Sequence, residues 1–315
     1  MTLGRILTLF ICLFGSANLL AQQIAVVADL NGRYGSTQYH KRVAKAVQVI
    51  EGLGPDLVIS AGDMVAGQKQ PKLDGPQLQA MWDAFNETFA DPLDRAGIPF
   101  TVTPGNHDGS GFDRFAIERE YFEKQWKDRQ RGLELLAGSE WPRRYAARLD
   151  SVLLVSFDGT IPGKLSSNEF GFVENMLEKY RASARTVIVL SHLPMWPLAS
   201  GREREILNDP DLLELLHRNE VDVFLSGHHH LFYAGRDSGG MIHLATGALG
   251  GNARAFSGSN TRQAHSFTLL DIRESGLHIE ARPASGFSEP IDHATLPSHI
   301  DGPLGRLERI DLSID

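Results

Sequence analysis

Short apolar runs rich in β-branched residues alternate along the chain with longer segments whose apolar residues recur at helical spacing. The runs predict buried strands. They occupy residues 26–28, 57–61, 98–102, 186–190 and 221–225. Between them, segments such as 38–53 and 170–180 place apolar residues three or four positions apart, which predicts helices. Alternation of strands with helices is typical of an α/β fold.

The remaining segments predict further helices and strands. A helix over residues 78–96 is expected to bend or break at Pro92, and residues 112–136 predict one or two helices. Residues 145–157 predict a β-hairpin. After the last helix, four runs predict consecutive strands, at residues 231–234, 241–245, 266–272 and 277–281. The order therefore predicts βα units followed by a β-meander, and then a tail over residues 286–315 that packs on the body.

Polar residues that can bind metal ions follow five of the strands, at the point where each strand ends. They are Asp29, Gly62-Asp63, Gly105-Asn106-His107-Asp108, His192 and Gly227-His228-His229-His230. In open α/β sheets the functional groups gather at the carboxyl ends of the strands, so these side chains are expected to form one site. Carboxylate and amide oxygens are hard ligands, and imidazole is either a metal ligand or a general acid. The cluster therefore predicts a bound cation and an anionic substrate.

The first residues differ from the rest of the chain. A basic residue precedes an apolar run at residues 6–14, and small residues then lead to a polar junction. This pattern predicts a signal peptide over residues 1–21, cleaved after Ala21, with cleavage after Ala17 or an uncleaved anchoring helix as the alternatives. The run is too short for a comfortable membrane span. We therefore expect a secreted or periplasmic mature protein, residues 22–315, with no transmembrane span and a single catalytic domain.

Composition and charge narrow the possible partners. The chain has 315 residues, of which 42% are hydrophobic and 22% charged, and this is enough for one large core. Its only cysteine, Cys12, lies in the predicted signal peptide, so the mature chain would have no disulfide and no thiol ligand. Loss of Arg5 with that segment moves the formal charge from −8 to −9. A mildly acidic chain without a dense basic tract argues against nonspecific binding to nucleic acid or to anionic membranes.

The ligand types indicate which ions the site would take. Aspartate, asparagine and histidine without cysteine suit one or two divalent or trivalent ions such as Mn, Fe, Zn or Ni. A structural zinc site would instead prefer tetrahedral cysteine and histidine ligands. Two ions about 4 Å apart would hold a bridging hydroxide and neutralise a phosphoryl group during in-line displacement. Asp63 stands in the middle of the set and could bridge two such ions.

The ordered set resembles the motifs of the calcineurin-like metallophosphoesterases, from residue 24 to about residue 280. That family has Asp-x-His, Gly-Asp, Gly-Asn-His-Asp or Glu, an isolated histidine after a strand, and Gly-His-x-His. The resemblance implies a four-layer α/β/β/α sandwich with two facing mixed β-sheets and a binuclear metal site at the C-terminal ends of the strands. By position it implies two ligand sets, Asp29, Asp63 and His230 for one ion and Asp63, Asn106, His192 and His228 for the other. It further implies that His107 assists the leaving group and that Asp108 orients His107.

One position departs from the family pattern. Asn31 stands where the family has the second histidine of its first motif. An amide oxygen is a weaker ligand than imidazole for first-row metals, so we keep Asn31 in the ligand set but expect a weak first site, a harder ion or a recruited group. The related purple acid phosphatases use a tyrosine soon after Gly-Asp, which has no counterpart here. Tyr34 or Tyr39 could reach the site, although packing in the core or at the rim explains each more simply. His229 is expected to support the ligands and not to bind metal.

Three hypotheses for the function follow. The first is a metal-dependent phosphoesterase that hydrolyses a phosphate mono- or diester by attack of a metal-bridging hydroxide, with His107 assisting the leaving group. The second is a metal-binding protein of the same fold with weakened catalysis, suggested by Asn31. His107 argues against it, because a pure binder needs no leaving-group acid. The third is a metal-dependent hydrolase of non-phosphate esters. Under the first, the partner is a small-molecule or lipid phosphoester.

Specificity is expected to reside in three long loops. They span residues 64–76, 193–205 and 250–265. Loops of this length within a compact fold are often functional. The candidate side chains that they carry are Lys69, Lys72, Trp196, Arg202, Arg254 and Arg262.

Overall fold

The computed structural model describes residues 22–129, 132–310 and 313–314. Within these residues the strands form two β-sheets, and strands and helices are numbered here in chain order. The first sheet has six strands, in the spatial order β15 (Ser313–Ile314), β12 (Gly276–Pro283), β11 (Ser266–Arg273), β1 (Gln22–Val27), β2 (Leu57–Ser60) and β3 (Phe100–Val102). The second has nine, in the order β13 (His299–Gly302), β14 (Gly305–Arg309), β9 (Tyr233–Arg236), β10 (Ile242–Ala245), β8 (Val223–Ser226), β7 (Thr186–Leu190), β6 (Val152–Ser156), β5 (Tyr145–Leu149) and β4 (Glu134–Leu135).

Each sheet combines parallel and antiparallel strands. In the first sheet, β1, β2 and β3 run parallel, and β11 pairs antiparallel with β1. In the second, β6, β7, β8 and β10 run parallel, with β5 and β9 antiparallel beside them. The carboxyl ends of parallel neighbours lie at one edge of a sheet. The loops that carry the predicted metal ligands therefore begin at that edge.

Helices cover the outer face of each sheet. They are α1 (Lys41–Leu53), α2 (Gly75–Phe85), α3 (Asp91–Ala96), α4 (Ala116–Trp126), α5 (Ser167–Tyr180) and α6 (Pro210–Arg218). Because side chains alternate along a strand, Ala25 and Val27 of β1 pack with α1 to α4, while Ile24 and Val26 face the second sheet. Helices α5 and α6 pack on the second sheet. The predicted α/β/β/α sandwich of two mixed sheets is confirmed.

The helix predicted over residues 78–96 is interrupted, but before Pro92 and not at it. Helix α2 ends at Phe85, a π-helical turn spans Asn86–Ala90, and α3 follows with Pro92 in its first turn. Proline has no N–H to donate, and the first turn of a helix is where that donor is not needed. The segment is therefore two short helices that meet at a bulge.

The predicted β-meander is wrong. Strands β9 and β10 remain in the second sheet, whereas β11 crosses to the first sheet and pairs with β1, with Thr268 opposite Val26. The tail contains a hairpin, β13 and β14, that extends the second sheet through β9. Ile300 and Leu307 face each other in this hairpin and are buried. Local patterns identified most of these strands, but strand partners are set by burial over the whole chain.

The predicted signal peptide at residues 1–21 lies outside the described residues, so it stays a prediction. Among the residues that the structure describes, no helix is both long enough and apolar enough to cross a membrane.

Candidate metal centre

The loops at the strand ends hold the predicted ligands in unusual backbone conformations. Four of them adopt positive φ angles: Asp29 (51°), Asp63 (58°), His228 (63°) and His230 (55°). A left-handed conformation costs a non-glycine residue about 1–2 kcal/mol. Strain of this kind gathers at functional sites, where the surrounding structure holds a side chain in a required direction. Here it turns carboxylates and imidazoles from both sheets toward one another.

Gly105 explains why the Asn106-His107-Asp108 turn can approach the loop after β2. A Cβ atom at Gly105 would lie 2.0 Å from the backbone nitrogen of Asp63 and 2.3 Å from its Oδ1 atom. No other residue fits at this distance. The glycine therefore lets the main chain after β3 pack directly on Asp63, so that the backbone N–H of His107 donates to Asp63 Oδ1 at 2.8 Å.

Four predicted ligands from both sheets form one cluster, in which Asp63, His192 and His228 are buried and Asn106 is half-buried. His192 Nε2 lies 3.0 Å from Asn106 Oδ1, 3.2 Å from His228 Nδ1 and 3.4 Å from Asp63 Oδ1. The ligand atoms of Asp63, His192 and His228 all lie within 4.8 Å of one another, which is close enough for the three residues to hold one metal ion. The structure thus brings together the set that the resemblance assigns to the second ion.

The protons of the two histidines point away from this cluster. His192 Nδ1–H donates to the carbonyl oxygen of Ala61 at 2.7 Å, and His228 Nε2–H donates to Glu205 Oε2 at 2.8 Å. The ring nitrogens that face each other then carry lone pairs, as do the oxygens of Asp63 and Asn106. Three acceptor atoms lie 3.0–3.4 Å from His192 Nε2, which is itself an acceptor. These four atoms repel one another unless a cation or a proton lies among them. This donor set fits a metal ion.

A second group lies beside the first. His230 Nδ1–H donates to the carbonyl oxygen of Asn252 at 2.8 Å, so its Nε2 lone pair faces Asp29 Oδ1 at 3.2 Å. Asp29 Oδ2 accepts from the backbone N–H of His228 at 3.0 Å, whereas the buried Oδ1 atom accepts no hydrogen bond from the described residues. Again two acceptors face each other without a proton between them. Asp29 and His230 therefore fit the first ion, as the resemblance implies.

Asn31 is held at the edge of the second group. Its side chain is nearly buried, lines the cleft above the cluster, and places Nδ2 at 3.5 Å from the carbonyl oxygen of Val65. That contact leaves Oδ1 as its metal-binding atom. Tyr39 is not a replacement, because its hydroxyl donates to the carbonyl oxygen of Met64 at 2.8 Å. Tyr34 stands at the rim, beside His107.

His107 and Asp108 have separate partners. His107 Nδ1–H donates to the carbonyl oxygen of Gly67 at 3.1 Å, which leaves Nε2 in the cleft, 3.9 Å from Asp63 Oδ2. The carboxylate of Asp108 accepts from the backbone N–H groups of Met64 and Gly105, both at 2.6 Å. The expected contact between Asp108 and the His107 ring is therefore not formed. Asp108 instead holds together the two loops that carry Asp63 and His107, because its carboxylate bonds one backbone N–H in each loop.

Charges within the cluster shift the pKa values of its members. Burial alone would lower the pKa of His192, but the negative charge of Asp63 raises it to about 9. Burial alone would raise the pKa of Asp63, but His192 and His107 hold it well below its usual range. Burial and proximity to Asp63 raise the pKa of Asp108 to about 7. A proton thus takes the position of the cation in the metal-free protein, and metal binding must displace it.

A cleft of about 700 Å³ opens above the two groups. Its wall includes four arginines, Arg33, Arg42, Arg202 and Arg254. Arg254 donates to the carbonyl oxygen of His228 at 3.3 Å, and Arg42 donates to the carbonyl oxygens of Leu249 and Gly250. In a chain with a formal net charge of −8, this concentration of positive charge favours an anionic ligand. Of the predicted specificity residues, Arg202 and Arg254 reach the cleft.

Glu205 is a residue of the site that the sequence did not single out. It ends the predicted specificity loop, where it accepts from His228 Nε2 and also pairs with Arg202. The middle histidine of the motif, His229, is buried and accepts from the backbone N–H of Leu198 at 3.2 Å through Nδ1, so it fixes this loop. Sequence spacing gave no signal for Glu205, because its partner follows 23 residues later.

Replacement of Glu205 by alanine is expected to weaken metal binding. The carboxylate holds the His228 ring so that Nδ1 faces His192, and loss of such a partner typically lowers metal affinity or activity about 10–100-fold. Calorimetric titration with Mn²⁺ or Zn²⁺ measures the change. Glu203→Ala is the matched control, because Glu203 lies on the same loop and bonds Gly201 and Ser257 instead of a predicted ligand. Equal affinities in both variants would show that Glu205 does not position His228.

The acceptor atoms of the predicted ligands meet at the ends of the strands, around a position that fits a cation. This arrangement places the protein in the class of metal-dependent hydrolases. The profile of the calcineurin-like phosphoesterase family matches residues 23–232, more than half of the chain, and this match includes every predicted ligand. The chain belongs to the calcineurin-like phosphoesterase family, as the resemblance of its motifs indicated.

A curated relative supports this assignment. It is a protein from Arcobacter nitrofigilis named as a probable glycerophosphodiester phosphodiesterase GpdQ, 27% identical over 208 residues. The match covers 62% of this chain and 65% of that protein, slightly less than two thirds of its length.

Three solved structures share the fold at low identity. Purple acid phosphatase PPD1 from yellow lupin (Lupinus luteus) has a TM-score of 0.65 and 18% identity, covering 85% of this chain and 52% of that chain. A dimetal phosphatase from Danio rerio has a TM-score of 0.58 and 16% identity, covering 84% and 96%. GAP50 of Plasmodium, described as the anchor in the inner membrane complex, has a TM-score of 0.58 and 16% identity, covering 94% and 90%.

Proposed function

We propose that the protein hydrolyses a phosphate mono- or diester in this cleft, with two metal ions bound at its base. The observation that carries the proposal is the meeting of acceptor atoms from Asp63, Asn106, His192 and His228, while His192 Nδ1 and His228 Nε2 are bonded to Ala61 and Glu205 outside this group. Bound metal ions would supply Lewis acidity and an activated water at this position. The name of the Arcobacter relative favours a diester, and the arginines of the cleft favour an anion.

The residues of the chain divide the remaining tasks. Asp29, Asn31 and His230 would hold the first ion and Asn106, His192 and His228 the second, with Asp63 between the two sets. His107, in its doubly protonated form, would donate the Nε2 proton to the leaving oxygen and keep its Nδ1–H bonded to the carbonyl oxygen of Gly67. Asp108 would keep the loops of Asp63 and His107 in register through its two backbone bonds. A secreted or periplasmic location completes the proposal, and the N-terminal sequence of the native protein tests it.

Metal analysis of the purified protein, combined with turnover of generic mono- and diester substrates, tests this function. We expect bound transition metal and hydrolysis of at least one of the two ester types. Bound metal without any hydrolysis would favour the second candidate, a binding protein of the same fold. The specific observation behind that candidate is Asn31, whose amide offers the first ion a weaker ligand than imidazole.

The first ion is expected to bind more weakly than the second. Its set contains one imidazole, His230, whereas His192 and His228 both serve the second ion. Asn31→His should tighten the first site, because imidazole outcompetes an amide oxygen for Mn²⁺, Fe²⁺ or Zn²⁺. Calorimetric titration of both proteins measures the two affinities. Two equally tight sites in the unmodified protein would show that Asn31 is no handicap, in which case the binding-protein candidate loses its support.

A further inference from the structure

Tyr34 is an exposed aromatic residue at the wall of the cleft. Its side chain is 58% exposed, the highest value among the exposed large hydrophobic residues that the structure describes. The others, Leu53, Ile117 and Ile161, are 38–41% exposed and do not line the cleft. The Tyr34 ring centroid lies 5.1 Å from that of His107, with 46° between the planes. A large, mostly exposed ring thus lines the cleft beside the proposed leaving-group acid.

The main chain holds Tyr34 in this position. The next residue, Gly35, donates its backbone N–H to the carbonyl oxygen of Ala66 at 2.6 Å, and Asn31 donates likewise to Asp63 at 3.2 Å. Gly35 has a φ of 75°, and a Cβ atom there would lie 2.9 Å from Lys69 Cδ, so only glycine fits without movement. The same 63–67 loop bonds the His107 ring through Gly67. Tyr34 and His107 are therefore fixed to one framework.

The packing of the fold does not account for this ring. Among the described residues, the Tyr34 hydroxyl has no hydrogen-bond partner, whereas the hydroxyls of Tyr39 and Tyr145 are bonded to backbone carbonyls. An aromatic ring left mostly in water gains little of the burial energy that usually explains its presence. A rigid, exposed ring on the wall of a cleft is typical of a surface for stacking a planar group of a ligand.

We propose that Tyr34 is a specificity residue that stacks on a planar ring in the leaving group of the phosphoester. The inference rests on the proposed function, in which His107 protonates the leaving oxygen. The group attached to that oxygen must then extend past His107, and Tyr34 is the ring beside it. The leaving groups that Tyr34 would recognise share a planar π-system one or a few bonds from the ester oxygen. It can be supplied by an aryl alcohol or by a nucleoside.

The test compares substrates that differ in their leaving group. The phenyl, 5′-nucleosidyl and glyceryl esters, each as the phosphate monoester and as its methyl diester, are assayed with the metal-loaded protein and three variants, Tyr34→Phe, Tyr34→Leu and Tyr34→Ala. The measured quantity is the ratio of kcat/KM for each ring-bearing ester to that for the glyceryl ester of the same type, so that intrinsic reactivity cancels between variants. We expect the ratio to fall roughly tenfold in the leucine and alanine variants, chiefly through KM, and to be restored by phenylalanine.

The controls separate stacking from other roles. Leucine keeps the apolar bulk without a π face, whereas phenylalanine keeps the π face without the hydroxyl. If the hydroxyl of Tyr34 bound metal, the phenylalanine variant would lose kcat/KM for every ester. Ile117→Ala removes another exposed apolar side chain outside the cleft and should keep the ratio. The nucleoside and phenyl substrates show which source of the ring is preferred.

Two negative results have different meanings. Turnover of these esters with the same ratio in all Tyr34 variants would overturn the stacking role and leave the proposed function intact. Absence of turnover for every mono- and diester by the metal-loaded protein would overturn the proposed function, and this inference with it.

Discussion

Removal of bound metal by a chelator is expected to lower phosphoester turnover by about a thousandfold or more, and added Mn²⁺, Zn²⁺ or Fe²⁺ is expected to restore it. The size follows from the several kcal/mol of charge stabilisation that a metal ion supplies in the transition state, at about 1.4 kcal/mol for each factor of ten. The arginines of the cleft wall are not expected to replace the ion, because His192 Nε2 already lies 3.0 Å from Asn106 Oδ1 and 3.4 Å from Asp63 Oδ1.

The structure also indicates what happens in the metal-free state. The negative charge of Asp63 raises the pKa of His192 to about 9, so near neutral pH a proton occupies the metal-binding nitrogen. The fold is then expected to survive chelation, because that proton relieves the repulsion between acceptors. Circular dichroism before and after chelation checks whether the fold survives. Phosphoester turnover measured with and without metal checks whether activity is lost and restored. Full activity in protein shown to be metal-free would exclude the proposed mechanism.

The sequence predicted which residues come together at the strand ends, because its signals are local. Each ligand directly follows an apolar run, and the rule that strand ends converge needs only the period of the pattern and the order of the elements. Asp29, Asp63 and His192 lie where that rule places them, close to ligands more than 100 residues away in the chain. The apolar run of β1 likewise indicated a buried strand.

The remaining features depend on contacts that no local pattern encodes. The pairing of β11 with β1 joins residues about 240 positions apart, and the sequence of β11 alone suits either sheet. Asp108 bonds two backbone amides whose availability is decided by the turns around them. Glu205 reaches His228 because its loop folds over the motif, and Tyr34 is notable only for its exposure. Each of these is a property of the assembled cleft.

Replacement of His107 by alanine is expected to lower kcat for alkyl phosphoesters about 10²–10⁴-fold, the usual contribution of a general acid. His107 Nε2 faces the cleft at 3.9 Å from Asp63 Oδ2, while Nδ1–H is fixed by Gly67. In this orientation the ring can hand a proton to a leaving oxygen. The loss should therefore depend on how much the leaving group needs that proton.

Esters with different leaving groups provide the decisive measurement. A p-nitrophenyl ester leaves as a stable anion and should lose far less rate in His107→Ala than a glycerol or other alkyl ester. Metal content should change little, because His107 is not among the groups that converge on His192 or His230, and elemental analysis of the variant measures it. His299→Ala, which removes a half-buried histidine of β13 that is not a predicted ligand, serves as the control. An equal loss for both ester types, or a loss of metal together with the rate, would show that His107 supports the metal centre and does not act on the leaving group.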